Sequence, residues 1–270
     1  MKYNTAFPYF PEKEIKIILH EFGKLLEGDG LLSMGKFVED FEKKFAAYIG
    51  SRYAIATTSC TAALETLLRA AKIGVDDEVI IPCQTFIATA SSVVRCGAKP
   101  VFAEINDNFL LDFEDMKSRV TSKTKAVIMV HFAGLIDYKI FEIRKWLKEN
   151  GILLLEDAAH AHGASKDKLK AGNIGEAAVF SFYSTKNMTT GEGGMITTSN
   201  NRLAKSCASI RDRGLDQNAN VEIFSELGTN QRLSEVQALM GLSQLKYLDE
   251  FVIHRNKVAE VYKKCLLPFA

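Results

Sequence analysis

No stretch of the 270-residue chain approaches the ~20 consecutive apolar residues that a membrane-spanning helix needs. Its first residues, Met1-Lys-Tyr-Asn-Thr-Ala-Phe-Pro, lack the apolar core of a secretory signal. No membrane partner is therefore expected, and the location expected is cytoplasmic. Cysteine is sparse and scattered: Cys60, Cys83, Cys96, Cys207 and Cys265 form no Cys-x-x-Cys pair. Their odd number argues against a disulfide framework, so free buried thiols are expected. Neither sign of charge dominates, with 34 basic and 33 acidic residues interleaved to a formal net charge of +1. Without a long basic tract, neither nucleic acid nor an anionic membrane is expected as a partner, which leaves a small-molecule substrate. Repeats and low-complexity tracts are absent too, and 47% hydrophobic with 25% charged residues is the balance of a globular chain with a large core and room for a small second lobe.

What is present is an alternation. Apolar runs at Tyr53 to Thr57, Glu78 to Ile81, Pro100 to Glu104, Ala126 to His131, Ile152 to Glu156, Ala177 to Phe182 and Met195 to Thr198 read as strands. Between them, Thr61 to Lys72, Phe86 to Cys96, Asp112 to Val120, Ile140 to Glu149 and Asn201 to Arg211 carry apolar residues at three- and four-residue spacing. Strand and helix in alternation predict an α/β three-layer sandwich around a mainly parallel, seven-stranded sheet. Near the end, Leu233, Val236, Leu239, Met240, Leu245, Leu248 and Phe251 keep a helical period, which predicts one long helix running towards Tyr262.

Two strand ends carry chemistry. In Ser181-Phe-Tyr-Ser-Thr-Lys186-Asn-Met-Thr-Thr-Gly-Glu-Gly-Gly194, a single lysine lies between an apolar strand and a glycine-rich return, where α/β proteins build sites. In Ile152-Leu-Leu-Leu-Glu-Asp157-Ala-Ala-His160-Ala-His162-Gly163, a buried strand ends in a carboxylate. A lysine amine and an aspartate on neighbouring strand ends are the minimum kit for pyridoxal phosphate chemistry: a Schiff-base former and a partner for the ring nitrogen. Read singly, Lys186 is a solvated amine and Asp157 a helix cap. His160 and His162 form a His-x-His pair without a third ligand nearby, too little for a metal site.

These segments resemble the signatures of the DegT/DnrJ/EryC1/StrS aminotransferases, pyridoxal-phosphate sugar aminotransferases of the aspartate aminotransferase fold. The likeness extends to Gly50 to Leu64, Asp77 to Thr89, Val130 to Gly134 and Asn230 to Ala238, and so covers nearly the whole chain. The resemblance implies Lys186 as Schiff-base lysine and proton carrier, and Asp157 as pyridinium partner. It implies Phe86 on the ring face, where core packing is the competing reading. His160 stands where the family commonly has glutamine and sometimes histidine, which implies an approach to the phenolic oxygen of the cofactor or packing near its ring. Cys60 and Thr61, at a helix start behind Ser59, match the phosphate cup, with cysteine in place of the usual glycine, and Ser181 supplies a further hydroxyl. Asn230 matches an asparagine that reaches the phosphate of the neighbouring subunit, which implies a homodimer with a shared site. His162 is read as a structural or entrance residue without chemistry.

The resemblance further implies a large cofactor domain over residues 1–240, including an N-terminal helical segment, then residues 241–270 as a connecting helix and the start of a small domain that is mostly missing. The activity implied is transfer of an amino group from an amino acid, glutamate or glutamine, to a nucleotide-linked keto sugar. That serves cell-surface polysaccharide or secondary-metabolite sugar synthesis. A catalytically incompetent, cofactor-binding dimerisation module is the alternative. A dehydratase would have histidine in place of Lys186, and an enzyme acting on amino acids alone calls for a donor-specific arginine that the sequence does not locate.

Overall fold

The seven apolar runs become the seven strands of one sheet in a computed structural model that describes residues 8–28, 30–216 and 221–267. In chain order the elements are α1 (Glu12–Leu26), α2 (Lys36–Ile49), β1 (Tyr53–Thr57), α3 (Cys60–Ala70), β2 (Glu78–Pro82), α4 (Ile87–Arg95), β3 (Lys99–Ala103), α5 (Phe113–Ser118), β4 (Thr124–Val130), α6 (Ile140–Glu149), β5 (Leu153–Asp157), a short hairpin of β6 (Ser165–Lys166) and β7 (Leu169–Lys170), β8 (Ala177–Ser181), β9 (Gly194–Thr198), α7 (Asn201–Arg211), α8 (Glu235–Lys246) and α9 (Leu248–Leu266). The sheet order is β1-β9-β8-β5-β4-β2-β3, and only β9 runs antiparallel to its neighbours.

Alternation along the strands decides which helices they bury. On β8, Ala177 and Val179 face one layer, with Leu64, Leu67, Val93 and Leu203 of α3, α4 and α7. Ala178 and Phe180 face the other, with Phe41 and Phe45 of α2. Towards β4 and β2, that second layer continues through Met116, Ile140, Ile143 and Leu147 of α5 and α6. Both faces are covered, as a parallel sheet requires, and the expected three-layer sandwich is present.

The expected single C-terminal helix is instead two. The chain leaves helical geometry at Tyr247 (φ −109°, ψ 3°), where the Tyr247 amide bonds to the Gln244 carbonyl and α9 sets off anew. An apolar period survives such a break because both helices present apolar residues to the body. Their start is fixed by a capping box, Ser234 with Gln237. Beside it the buried Glu235 carboxylate accepts from the amides of Gly35, Phe37 and Val38 and so caps α2 across 200 residues of chain. The thiols are free, but only Cys207 is fully buried; Cys83 and Cys265 are exposed and Cys60 and Cys96 half-buried, a correction to the expected burial. Among the described residues, no helix is long and apolar enough to cross a membrane.

The outer side of the C-terminal end of β1 is closed by neighbouring groups. Glu42 of α2 accepts from the Ala56 amide (2.8 Å) and pairs with Arg211, whose Nη1 donates to the Ala56 carbonyl (3.0 Å). Two residues on, the Thr58 amide donates to the Gln231 carbonyl (3.0 Å).

Candidate active site

The C-terminal ends of β4, β5 and β8 form the floor of the site. Asp157 is the last residue of β5, between Val130 and Val179 of its parallel neighbours, and is 7% exposed. Its Oδ2 accepts from the Thr89 hydroxyl (3.0 Å) and its Oδ1 from the Ala159 amide (3.2 Å). Each oxygen therefore keeps a free lone pair, and the plane of the carboxylate is fixed.

Beyond Ser181 the chain makes a closed excursion. The Phe182 amide bonds to Gly193 and the Thr190 amide to the Phe182 carbonyl, which brings the two stems together, while the Lys186 amide donates to the Tyr183 carbonyl (2.9 Å). Lys186 is thereby held at the sheet edge, half-buried. Burial pulls its amine below the ordinary lysine range, while Cys60 and Asp157 act in the opposite sense. The same neighbours act on the half-buried Cys60: burial pushes the thiol well up, Asp157 adds to this, and Lys186 opposes it. Amine, carboxylate and thiol thus occupy one site although they lie 126 positions apart in the sequence, at 60, 157 and 186.

Cys60 opens α3. The N-cap Ser59 accepts from Ala62 through its hydroxyl (3.1 Å) and from Ala63 through its carbonyl (2.9 Å). The first two amides of the helix, at Cys60 and Thr61, have no intrahelical acceptor and sit at the positive end of the helix dipole, an anion-binding arrangement. Gly194 makes the cup possible: a β-carbon there would overlap the Ser59 carbonyl and the Cys60 nitrogen. Because Thr57 pairs with Gly194 and Gly194 with Ser181, the Ser181 hydroxyl lies level with the cup, two strands away, where it accepts from the Tyr183 amide (3.4 Å).

Phe86 is the N-cap of α4 and is 74% exposed, so the core-packing reading does not hold. Its turn also carries Thr85 and Thr89, whose hydroxyls are 2.7 Å apart. His160 is exposed; its Nδ1 accepts from the Ala133 amide (3.4 Å), and burial together with the Lys186 charge lowers its imidazole, with Asp157 opposing. His162 is no entrance residue. It is 1% exposed, its ring packs 5.3 Å from Phe180 and 5.8 Å from Phe182, and neither ring nitrogen reaches hydrogen-bond geometry. Burial, then the Lys186 charge, holds its pKa down to about 3. Asn230 is not gathered with the others: it is exposed and bridged to Asp212 on the side of β1 away from β9.

Two contributors were not singled out in the sequence. Thr89 orients Asp157, and its signal is only the three-residue helical spacing from Phe86. The other is Glu156, which is fully buried and accepts from His131 Nε2 (2.8 Å) and from the amides of Gly172, Ile174 and Gly175. Burial alone would raise its carboxyl, but these donors more than offset that and hold it below the usual range.

A groove of about 770 Å³ opens beside Lys186, between the 184–189 segment and the first half of α9. A cavity of about 850 Å³ lies at the opposite, N-terminal edge of the strands, by Tyr53 and α7, remote from the lysine.

The model of the DegT/DnrJ/EryC1/StrS aminotransferase family matches residues 13–268. The chain is 39% identical over 272 residues to the spore coat polysaccharide biosynthesis protein SpsC of Bacillus subtilis (strain 168), covering 97% of this chain and 69% of that one. It is 42% identical over 236 residues to a GDP-perosamine synthase of Caulobacter vibrioides, covering 87% of this chain but only 63% of the relative. Among solved structures, an aminotransferase from Psychrobacter cryohalolentis superposes with a TM-score of 0.91 at 32% identity, over 97% of this chain and 68% of that chain. PseC of Helicobacter pylori, an aminotransferase involved in the biosynthesis of pseudoaminic acid, gives 0.91 at 28%, over 98% and 71%. The chain thus spans about two thirds of the length of these relatives. With the lysine, the carboxylate and the helix-start cup assembled in one place, and a family match running along almost the whole sequence, this chain belongs to the DegT/DnrJ/EryC1/StrS aminotransferases.

Proposed function

We propose that the chain is a pyridoxal-phosphate-dependent aminotransferase that moves an amino group from an amino acid, glutamate or glutamine, to a nucleotide-linked keto sugar. The observation that carries this reading is the meeting of Lys186, Asp157 and Cys60 in one site. The residues present fit the cofactor. Two open amides at a helix start suit a phosphate, an oriented carboxylate suits a protonated ring nitrogen, an exposed aromatic suits a ring face, and a half-buried amine suits an aldehyde. The sugar class is supported by relatives named GDP-perosamine synthase and, in Micromonospora megalomicea, dTDP-3-amino-3,4,6-trideoxy-alpha-D-glucose transaminase, which is 34% identical. Names of enzymes that turn over also weigh against the binding-module alternative.

When bound, the cofactor supplies an aldehyde for amine capture and a ring that accepts the electron pair released at the substrate Cα. The Cys60 and Thr61 amides and the Ser181 hydroxyl anchor its phosphate. Asp157, its plane set by Thr89 and Ala159, keeps a proton on the ring nitrogen. Phe86 and His160 bound the ring at its face and near its phenolic oxygen. Lys186 Nζ, its basicity lowered by burial, takes the proton from the donor Cα and returns one when the keto sugar is aminated. Residues 1–240 form the cofactor domain and 241–270 the connection to a small domain. In a homodimer, Asn230 of each subunit serves the other's phosphate. The free thiols agree with a cytoplasmic location.

The test is borohydride reduction of the purified chain with pyridoxal phosphate, followed by peptide mapping. The label is expected on Lys186, and Lys186→Ala is expected to lose it while its cofactor-free form melts at the same temperature as the cofactor-free native chain. A borohydride-fixed label retained by that variant overturns the reading.

A further inference from the structure

The groove beside Lys186 has an uneven charge. One wall is the Lys186 turn, with Ser184 and Asn187; the other is α9, which contributes the cations Arg255 and Lys257 against a single acid, Glu250. Arg255 is the only arginine lining it, and among the described residues it enters no hydrogen bond or ion pair. By contrast, Arg69, Arg95, Arg119, Arg211, Arg213 and Arg232 are each matched to a carboxylate; Arg52, Arg144 and Arg202 are, like Arg255, without one among the described residues, but none of those three lines this groove. Its charge is felt as far in as His162, beneath the lysine turn. Arg255 is also exposed and stands on a helix, so its fork is open to solvent and carried on a fixed backbone.

A guanidinium has five donors in a planar fork that matches carboxylate and phosphate oxygens two at a time. One left without an acid, in a cleft shared with a reactive amine, is matched to an acid that arrives with the substrate. We infer that Arg255 is the anion-binding residue of the Lys186 groove, holding a carboxylate or phosphate of the substrate while its reacting carbon faces Lys186. This rests on the proposed function of Lys186 and deepens it. An amino donor offers a carboxylate one bond from the reacting Cα, and a nucleotide-linked acceptor offers a diphosphate several bonds from its ketone. Lys257, two positions beyond Arg255 on the same wall, raises the local positive potential, which strengthens capture at low ionic strength.

The experiment is calorimetric titration of the purified chain, loaded with pyridoxal phosphate, with glutarate and separately with inorganic pyrophosphate, for the native chain, Arg255→Gln and Arg255→Lys. The native chain is expected to bind at least one of them, Arg255→Gln about tenfold more weakly, and Arg255→Lys in between, since it keeps the charge but loses the fork. Loss confined to glutarate assigns the site to the amino donor, and loss confined to pyrophosphate assigns it to the acceptor. Equal affinity in native chain and Arg255→Gln, or no binding of either anion by the native chain, overturns the inference. Borohydride labelling of Lys186 in the same samples separates the two proposals. Label with Arg255-independent binding removes the anion site alone. Arg255-dependent binding without label removes the aminotransferase reading and leaves the anion site standing. Coincident thermal melts of the three proteins show that the exposed substitution has not altered the fold.

Discussion

Glu156 and Asp157 are consecutive carboxylates on one strand, and the pleat turns them to opposite faces of the sheet. Glu156 receives four donors, from His131, Gly172, Ile174 and Gly175, and has nothing left to offer a ligand. Asp157 receives two, one on each oxygen, and opens toward Lys186. The pair separates two uses of a buried acid: saturated by its own chain it ties loops together, and half-saturated it is held ready for a guest. Among the described residues the two buried histidines repeat the contrast, since His131 is matched to Glu156 while His162 packs against Phe180 and Phe182 without an acid beside it.

On one scale, the free energy of unfolding, the comparison can be broken in three places. Glu156→Ala leaves His131, two buried amides and the half-buried Gly175 amide without an acceptor and is expected to cost about 3–5 kcal/mol, read from urea denaturation; a loss below about 1 kcal/mol would erase the distinction. His162→Leu acts through pH. Native His162 stays neutral down to about pH 3, whereas the unfolded chain takes up its proton below about pH 6.5. Stability is therefore full above that pH and is lost as pH falls, at up to about 1.4 kcal/mol per pH unit. Between pH 6.5 and 5 the variant should lose that share of the slope, and parallel curves for the two proteins would show that the imidazole is hydrated. Asp157→Asn keeps shape and an acceptor, and stability should change by less than about 1 kcal/mol, while transamination falls roughly 100-fold or more. Near-normal turnover would make Asp157 as structural as its neighbour.

The sheet was legible because each strand is an apolar run that fits no other period, and Tyr53 to Thr57 appears with the same bounds in the structure. Of the candidate site, what was legible is position: Asp157 at the end of a strand, Lys186 in the turn beyond one, and Ser59 to Thr61 at a helix start. Three things were hidden, each for a physical reason. The break at Tyr247 lies where both flanking helices are apolar on their inner sides, so the period runs through it. Thr89 looks like any small helix residue until β5 brings Asp157 to its hydroxyl. Arg255 is one cation among many on an exposed helix, and only the fold shows that this stretch of α9 faces the lysine turn.

The way Glu42 and Arg211 seize the Ala56 peptide has a consequence for life at high concentration. A terminal strand normally shows a row of bare amides and carbonyls on which another molecule can build, the seed of amyloid-like growth. Here a carboxylate and a guanidinium imitate the neighbour that is missing, and Gln231 continues the imitation at Thr58. The end of the strand that leads into the helix-start cup is thus closed to strangers, its polar groups at Ala56 and Thr58 committed before any second chain can claim them.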